Sequence, residues 1–179
     1  SMTRAEAAAI FARLLAEKNG DTISTAANTK FADIPAHAWY SGYVKYLCNN
    51  GITYGKSKTI FAPNDSITRA EFTTMAVRFF DVYGSGDAEI MEQFSGFNDV
   101  SSGYWAAEYI KYAALHGWIN GYGDGSFHAD REINRAEVVT IVNRLLGREA
   151  DEDYIADNHR RLVMFPDVSS RHWAYYNVL

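Results

Sequence analysis

The chain is poor in most of the features that announce chemistry. It has one cysteine in 179 residues, Cys48, so no disulfide can form within the chain. At that length roughly two-thirds of the unfolded surface can be buried, so the fold needs neither a disulfide nor a metal. Cysteine poverty leaves the compartment open, because many exported proteins do without disulfides. No apolar run approaches the roughly 18 residues that a membrane span requires, which excludes a spanning helix. There is no basic excess either. Lys+Arg total 17 against 22 Asp+Glu, a net charge of −5, which argues against nucleic acid as a partner. A nucleophile elbow, a His-Glu-x-x-His zinc site, a P-loop and paired cysteines are all missing, and His37, His116, His128, His159 and His172 lack metal-ligand spacing. The expectation is a non-enzyme without metal or cofactor. No leader is visible: Ser1-Met2 reads as a junction, followed directly by Thr3-Arg4-Ala5-Glu6.

Aromatic residues are abundant, at 15% of the chain: 12 Tyr, 10 Phe and 4 Trp. Tyr and Trp join an apolar body to a polar tip and often line surfaces that meet sugars or peptides. Their spacing exposes an internal repeat. Phe31-Ala32-Asp33-Ile34-Pro35 matches Phe97-Asn98-Asp99-Val100-Ser101 at an offset of 66, and Phe165-Pro166-Asp167-Val168-Ser169 at a further 68. A tryptophan follows each: Trp39, Trp105 and Trp173. Thr3-Arg4-Ala5-Glu6 matches Thr68-Arg69-Ala70-Glu71 and Asn134-Arg135-Ala136-Glu137. The organisation is therefore a second half-repeat at 1–18, full repeats at 31–80 and 97–147, and a first half-repeat at 165–179, together one three-unit domain.

Each part of the repeat has a local reason. Thr-Arg-Ala-Glu is a capping box, with Thr3, Thr68 and Asn134 as N-caps and Glu6, Glu71 and Glu137 reaching back to the cap amide. An amphipathic helix follows, with Phe72, Met75, Ala76 and Phe79 at i, i+3, i+4 and i+7, and Val138, Ile141, Val142 and Leu145 in the same register. These long helices are expected to pack on one another or on the short helix before them. That short helix starts near the Trp and ends at Gly51 or Gly117, where glycine suits the left-handed position. A loop such as Gly121-Tyr122-Gly123-Asp124-Gly125 and an aromatic plug, Phe61 or Phe127, complete the unit. The fold expected is mainly α. A helical turn near Ile90-Met91 is a further expectation. The acidic stretch Asp151-x-Asp153-x-x-x-Asp157 lacks the turn glycine of a calcium loop and reads as a solvated segment.

Capping explains Thr and Glu but leaves Arg4, Arg69 and Arg135 at N1, beside free amides and the positive helix end, where a cation is unfavourable by a few tenths of a kcal/mol. Two answers are open. An external carboxylate or phosphate docks there, or a carboxylate of the opening turn, Asp33 or Asp99, pairs with the arginine. Arg13, Arg78 and Arg144 recur nine residues later and read as favourable dipole partners in the last turn. The three Trp are either packing residues or a ligand platform. The glycine loop is a turn or a close backbone approach to a ligand.

In combination, the Phe-x-Asp-Val opening, Trp105-Ala106 and Trp173-Ala174, the Gly-Tyr-Gly-Asp-Gly-x-Phe loop and the Ile67-Thr68-Arg69-Ala70-Glu71 box resemble the S-layer homology repeat. Ile34, Trp39-Tyr40, Tyr54-Gly55-Lys56-Ser57 and Asn134 depart from its pattern, so the loop of the first full repeat is the weaker binding element. The resemblance implies an exported protein held at the bacterial cell wall or S-layer surface. It implies helix-loop-helix repeats in a pseudo-threefold arrangement around a central three-helix bundle. Grooves between repeats would hold a secondary cell-wall polysaccharide linked to peptidoglycan, through a pyruvylated or otherwise anionic sugar. The residues carried over are Arg4, Arg69 and Arg135 for the carboxylate, with Trp39, Trp105, Trp173, Gly121, Tyr122, Gly123 and Asp124 lining the grooves. Further domains of a parent protein are implied as neighbours. The rival function is a protein-interaction or surface-assembly module. Ring closure is expected as well, with 165–179 beside 3–18 and Trp173 near Arg4.

Overall fold

The computed structural model describes residues 1–83, 94–149, 151–158 and 168–178. They form α1 (Arg4–Asn19), α2 (Ser41–Asn49), α3 (Arg69–Tyr83), α4 (Ala107–Leu115), α5 (Arg135–Leu145), α6 (Glu152–Asn158) and α7 (Tyr175–Val178). Among the described residues there is no strand, only the single antiparallel bridges Thr3 to Ser66 and Thr68 to Glu132. The expected turn near Ile90-Met91 and the residues Phe165 and Asp167 lie outside the described residues.

The three capping boxes form as the sequence dictates. The Glu6 amide donates to Thr3 Oγ1 and Glu6 Oε2 accepts from the Thr3 amide at 2.7 Å. Thr68 with Glu71 and Asn134 with Glu137 repeat both bonds. Each box thereby satisfies two of the donors that a helix start leaves open. At the other end of the short helices Gly51 and Gly117 take φ of 73° and 68°, the left-handed conformation expected there.

The long helices pack on one another, α1 on α3 and α3 on α5. The Phe11 ring lies 5.1 Å from that of Phe72 and 5.2 Å from that of Phe79. All three are fully buried, each contributing about 1.5–3 kcal/mol from burial. Of the two expected arrangements the first therefore holds, and the short helices take a different partner from the one in the second. α2 packs on α1, α4 on α3 and α7 on α5, so each joins the long helix before it in the chain. The packing unit is thus long helix then short helix, a permutation of the repeat read from the Phe-x-Asp opening. By that frame the half-repeats and full repeats make three complete pairs. The expected placing of the last segment beside the first is not what the described residues show: α7 sits on α5, and Trp173 shares a cavity with Arg69, whereas Arg4 shares one with Trp105. The stretch around Asp151 is a capped helix, in which Asp151 Oδ1 accepts from the Tyr154 amide at 2.8 Å, not a calcium loop.

Candidate functional site

The box arginines answer the question their position raised. Arg4 and Arg69 are buried, each 4% exposed. Arg4 Nε donates to the Phe61 carbonyl at 2.7 Å and its Nη1 pairs with Glu71 at 2.8 Å. Arg69 Nε donates to the Phe127 carbonyl at 2.8 Å and its Nη1 pairs with Glu137 at 2.7 Å. Within the chain the partner of Arg4 and Arg69 is therefore not Asp33 or Asp99, but the capping glutamate of the next long helix. The N1 and N2 amides are also taken. Arg4 and Ala5 donate to the Asp65 and Pro63 carbonyls, and Arg69 and Ala70 to those of Arg131 and Ala129. Asp33 and Asp99 serve the aromatic plugs instead. Asp99 accepts from the Phe127 and His128 amides, both at 2.7 Å, and Asp33 from those of Phe61 and Ala62. Burial alone raises the Asp99 pKa, but the two amides outweigh it and hold the carboxyl below its ordinary value. Arg135 is exposed, and its charge helps to lower the Glu6 pKa, behind the Thr3 amide as the main cause.

These contacts shape two grooves at corresponding positions between successive units. The larger, a cavity of about 320 Å³, runs from Arg69 past the loop Trp118–Tyr122 to Glu137, Thr140, Ile141 and Arg144 on α5, with Trp173 at its edge. The smaller, about 90 Å³, has Arg4, the loop Thr53–Gly55, Glu71, Thr74, Met75 and Arg78 on α3, and Trp105 at its edge. Trp39, Trp105 and Trp173 all stand in solvent, at 56%, 57% and 61% exposure. They are not core residues, so the packing role left open for them does not hold. Trp39 borders neither of these grooves.

The glycine loop divides. Gly121 and Tyr122 line the larger groove, whereas Gly123 and Asp124 do not. Asp124 builds the loop: its Oδ1 accepts from the Ser126 hydroxyl at 2.6 Å and the Ser126 amide at 2.9 Å, and the hydroxyl contact leads in lowering its pKa. Tyr122 donates its hydroxyl to Glu137 at 2.9 Å, and Arg131 reaches both Tyr122 and Glu137. Burial foremost, with the Glu137 contact, raises the Tyr122 pKa, so the phenol stays protonated. Arg69 and Arg144 against Glu137 leave one positive charge lining this groove (two minus one) in a chain of net charge −5, and Arg131 pairs with Glu137 from outside it. In the first groove the positions of Tyr122 and Arg131 hold Lys56 and Asp65, which pair at 2.8 Å.

Trp118, Asn120, Thr140 and Arg144 are groove residues that the sequence did not flag. The recurrence of Arg13, Arg78 and Arg144 was the available signal, assigned to the helix dipole. That assignment fits only Arg144 by position, since α1 and α3 run on to Asn19 and Tyr83 beyond their arginines.

Residues 30–73 and 96–139 each match the model of the S-layer homology domain. The chain is 32% identical over its whole length to cell surface glycoprotein 1 of Acetivibrio thermocellus, of which it spans 8%. It is 32% identical over 99% of its length to the cellulosome-anchoring protein of the same organism, spanning 38% of it. The surface-layer 125 kDa protein of Lysinibacillus sphaericus is 32% identical over 82% of the chain, which spans 12% of that protein. The chain therefore corresponds to well under half of each of these relatives.

Proposed function

We propose, from the premise that this chain belongs to the S-layer homology family, that it is a non-catalytic module anchoring a larger exported protein to the bacterial cell wall. Its ligand in this proposal is a secondary cell-wall polysaccharide bearing an acidic sugar, such as a pyruvyl ketal. The observation that carries the proposal is the larger groove: an open, positively charged cavity edged by an exposed tryptophan. An indole face suits the apolar side of a sugar ring, and guanidinium groups suit a carboxylate. Arg69 meets the ligand through Nη2, whose one bond, to the Asn120 carbonyl, is long at 3.3 Å. Gly121 and Tyr122 form the wall. Arg4 with Trp105 heads the smaller groove. Arg135 with Trp39 belongs to a third, equivalent position, and the three helix pairs stand around a pseudo-threefold axis. The repeated Arg4–Glu71 and Arg69–Glu137 pairs, and the influence of Arg135 on Glu6, support that symmetry. More than one occupied groove on a polymer-coated wall raises the effective affinity through avidity.

Co-sedimentation with purified cell walls tests this, before and after extraction of the secondary polysaccharide. Wild type is expected to sediment with intact walls only, and Trp173→Ala to remain largely in solution. Sedimentation that survives both extraction and the substitution overturns the proposal in favour of a protein-interaction module.

A further inference from the structure

The arginine nine residues into each long helix meets a residue of the short helix that packs on it, four positions after the tryptophan. Arg13 donates Nε and Nη2 to the Tyr43 hydroxyl at 3.2 and 3.1 Å. Arg78 donates the same two nitrogens to the Tyr109 hydroxyl at 3.3 and 3.1 Å. Nε and Nη2 form the edge of the guanidinium that binds a carboxylate in bidentate fashion. In both copies that edge is spent on a tyrosine. In the third copy the tyrosine is replaced by Asn177, and among the described residues no acceptor meets Arg144 Nε or Nη2. Among the described residues Arg144 makes one side-chain hydrogen bond, through Nη1 to the Asn120 side-chain oxygen at 3.3 Å, with the amide turned so that its nitrogen donates to the Ile119 carbonyl.

Two neighbouring positions differ in the same sense. Position 120 is asparagine in the larger groove, and its counterpart in the smaller is Tyr54, whose ring centre lies 4.9 Å from Arg78 Cζ. Arg78 is thus held between Tyr54 and Tyr109, whose ring is also 4.9 Å away. Thr74 donates its hydroxyl to the Ala70 carbonyl at 2.8 Å, whereas its counterpart Thr140, lining the larger groove, has a buried hydroxyl with no partner. An unpaired buried hydroxyl is unfavourable, and a ligand or water oxygen would satisfy it.

We infer that Arg144 is a carboxylate-binding residue of the larger groove, and that Tyr54 and Tyr109 close the equivalent arginine of the smaller groove to the same ligand. The two grooves are inequivalent at this position: one offers a second guanidinium edge to an acidic group and the other does not. This rests on the grooves being sites for an acidic sugar, but it is tested without the cell wall.

The experiment follows the arginine Nε–Hε signals by NMR during titration of the whole chain with sodium pyruvate. The Arg144 signal is expected to move along a saturating curve with a Kd on the order of 10 mM, the scale of one charge-assisted contact in water. The Arg13 and Arg78 signals are expected to stay in place. Arg144→Lys keeps the charge but removes the planar fork, and Asn177→Tyr supplies the missing lock. The first is expected to abolish saturable binding and the second to weaken it at least ~10-fold. Tyr54→Asn with Tyr109→Asn is expected to bring Arg78 into the response. An Arg144 signal that does not move, or Arg13 and Arg78 signals that move equally in wild type, overturns the inference. Failure of the chain to bind walls while Arg144 binds pyruvate would instead defeat the anchoring function and leave this assignment standing.

Discussion

Arg69 and Glu137 form a buried ion pair of 2.7 Å that joins α3 to α5, and the sequence places them 68 residues apart. Arg4 and Glu71 repeat it between α1 and α3. The cation that is unfavourable at its own helix start is neutralised by the glutamate that caps the next one. One four-residue box thereby caps a helix and ties neighbouring units together.

Removing one member of such a pair strands a buried charge. Glu137→Ala is expected to cost about 3–5 kcal/mol, read by urea denaturation at neutral pH. Glu71→Ala is expected to cost less, because the Glu71 side chain is 20% exposed against 10% for Glu137. Equal losses would refute the distinction.

Asp99 gives the fold a pH dependence of known sign. Its folded pKa lies below the unfolded value of about 3.9. Its contribution is therefore complete above the unfolded value and is lost as pH falls through the folded one. Asp99→Asn, which turns an NH2 toward one of the two amides, is expected to cost about 1–3 kcal/mol at pH 7. It should also flatten the decline in melting temperature on acidification relative to wild type.

The glycine loop separates structural from permissive positions. A Cβ on Gly121 would meet the Phe97 ring and the Ser126 carbonyl oxygen, the latter at 2.6 Å, while one on Gly123 would meet nothing within 4 Å. Gly121→Ala is expected to destabilise by about 1–3 kcal/mol and to distort the groove. Gly123→Ala should stay within about 0.5 kcal/mol of wild type in a thermal melt.

Trp173→Ala removes an exposed side chain and should leave stability unchanged within about 0.5 kcal/mol. Its loss of wall binding would then report on the groove alone. Arg69 cannot serve that purpose, because its substitution also breaks the Glu137 pair and the bond to Phe127.

Much of the fold is legible because it is local. The capping boxes, the left-handed Gly51 and Gly117, and the buried faces around Phe72 and Val138 depend on residues within a turn or two of one another. The exposure of the tryptophans was not legible. An indole at the start of a helix fits either a core or a groove, and only the neighbouring unit decides which. The surroundings of Arg144 were hidden for the same reason: its place near a helix end matches the dipole, and the loss of its tyrosine partner shows only when α7 is seen on α5.

The sequence by itself determined the repeat, the helices and their caps, since each follows from short-range spacing and backbone hydrogen-bonding rules. Tertiary structure alone decided three things: which short helix joins which long helix, which carboxylate answers Arg4 and Arg69, and which of the later arginines a tyrosine holds. These depend on contacts between residues dozens of positions apart. There, one changed partner, Asn177 for a tyrosine or Asn120 for Tyr54, alters what holds a repeated arginine.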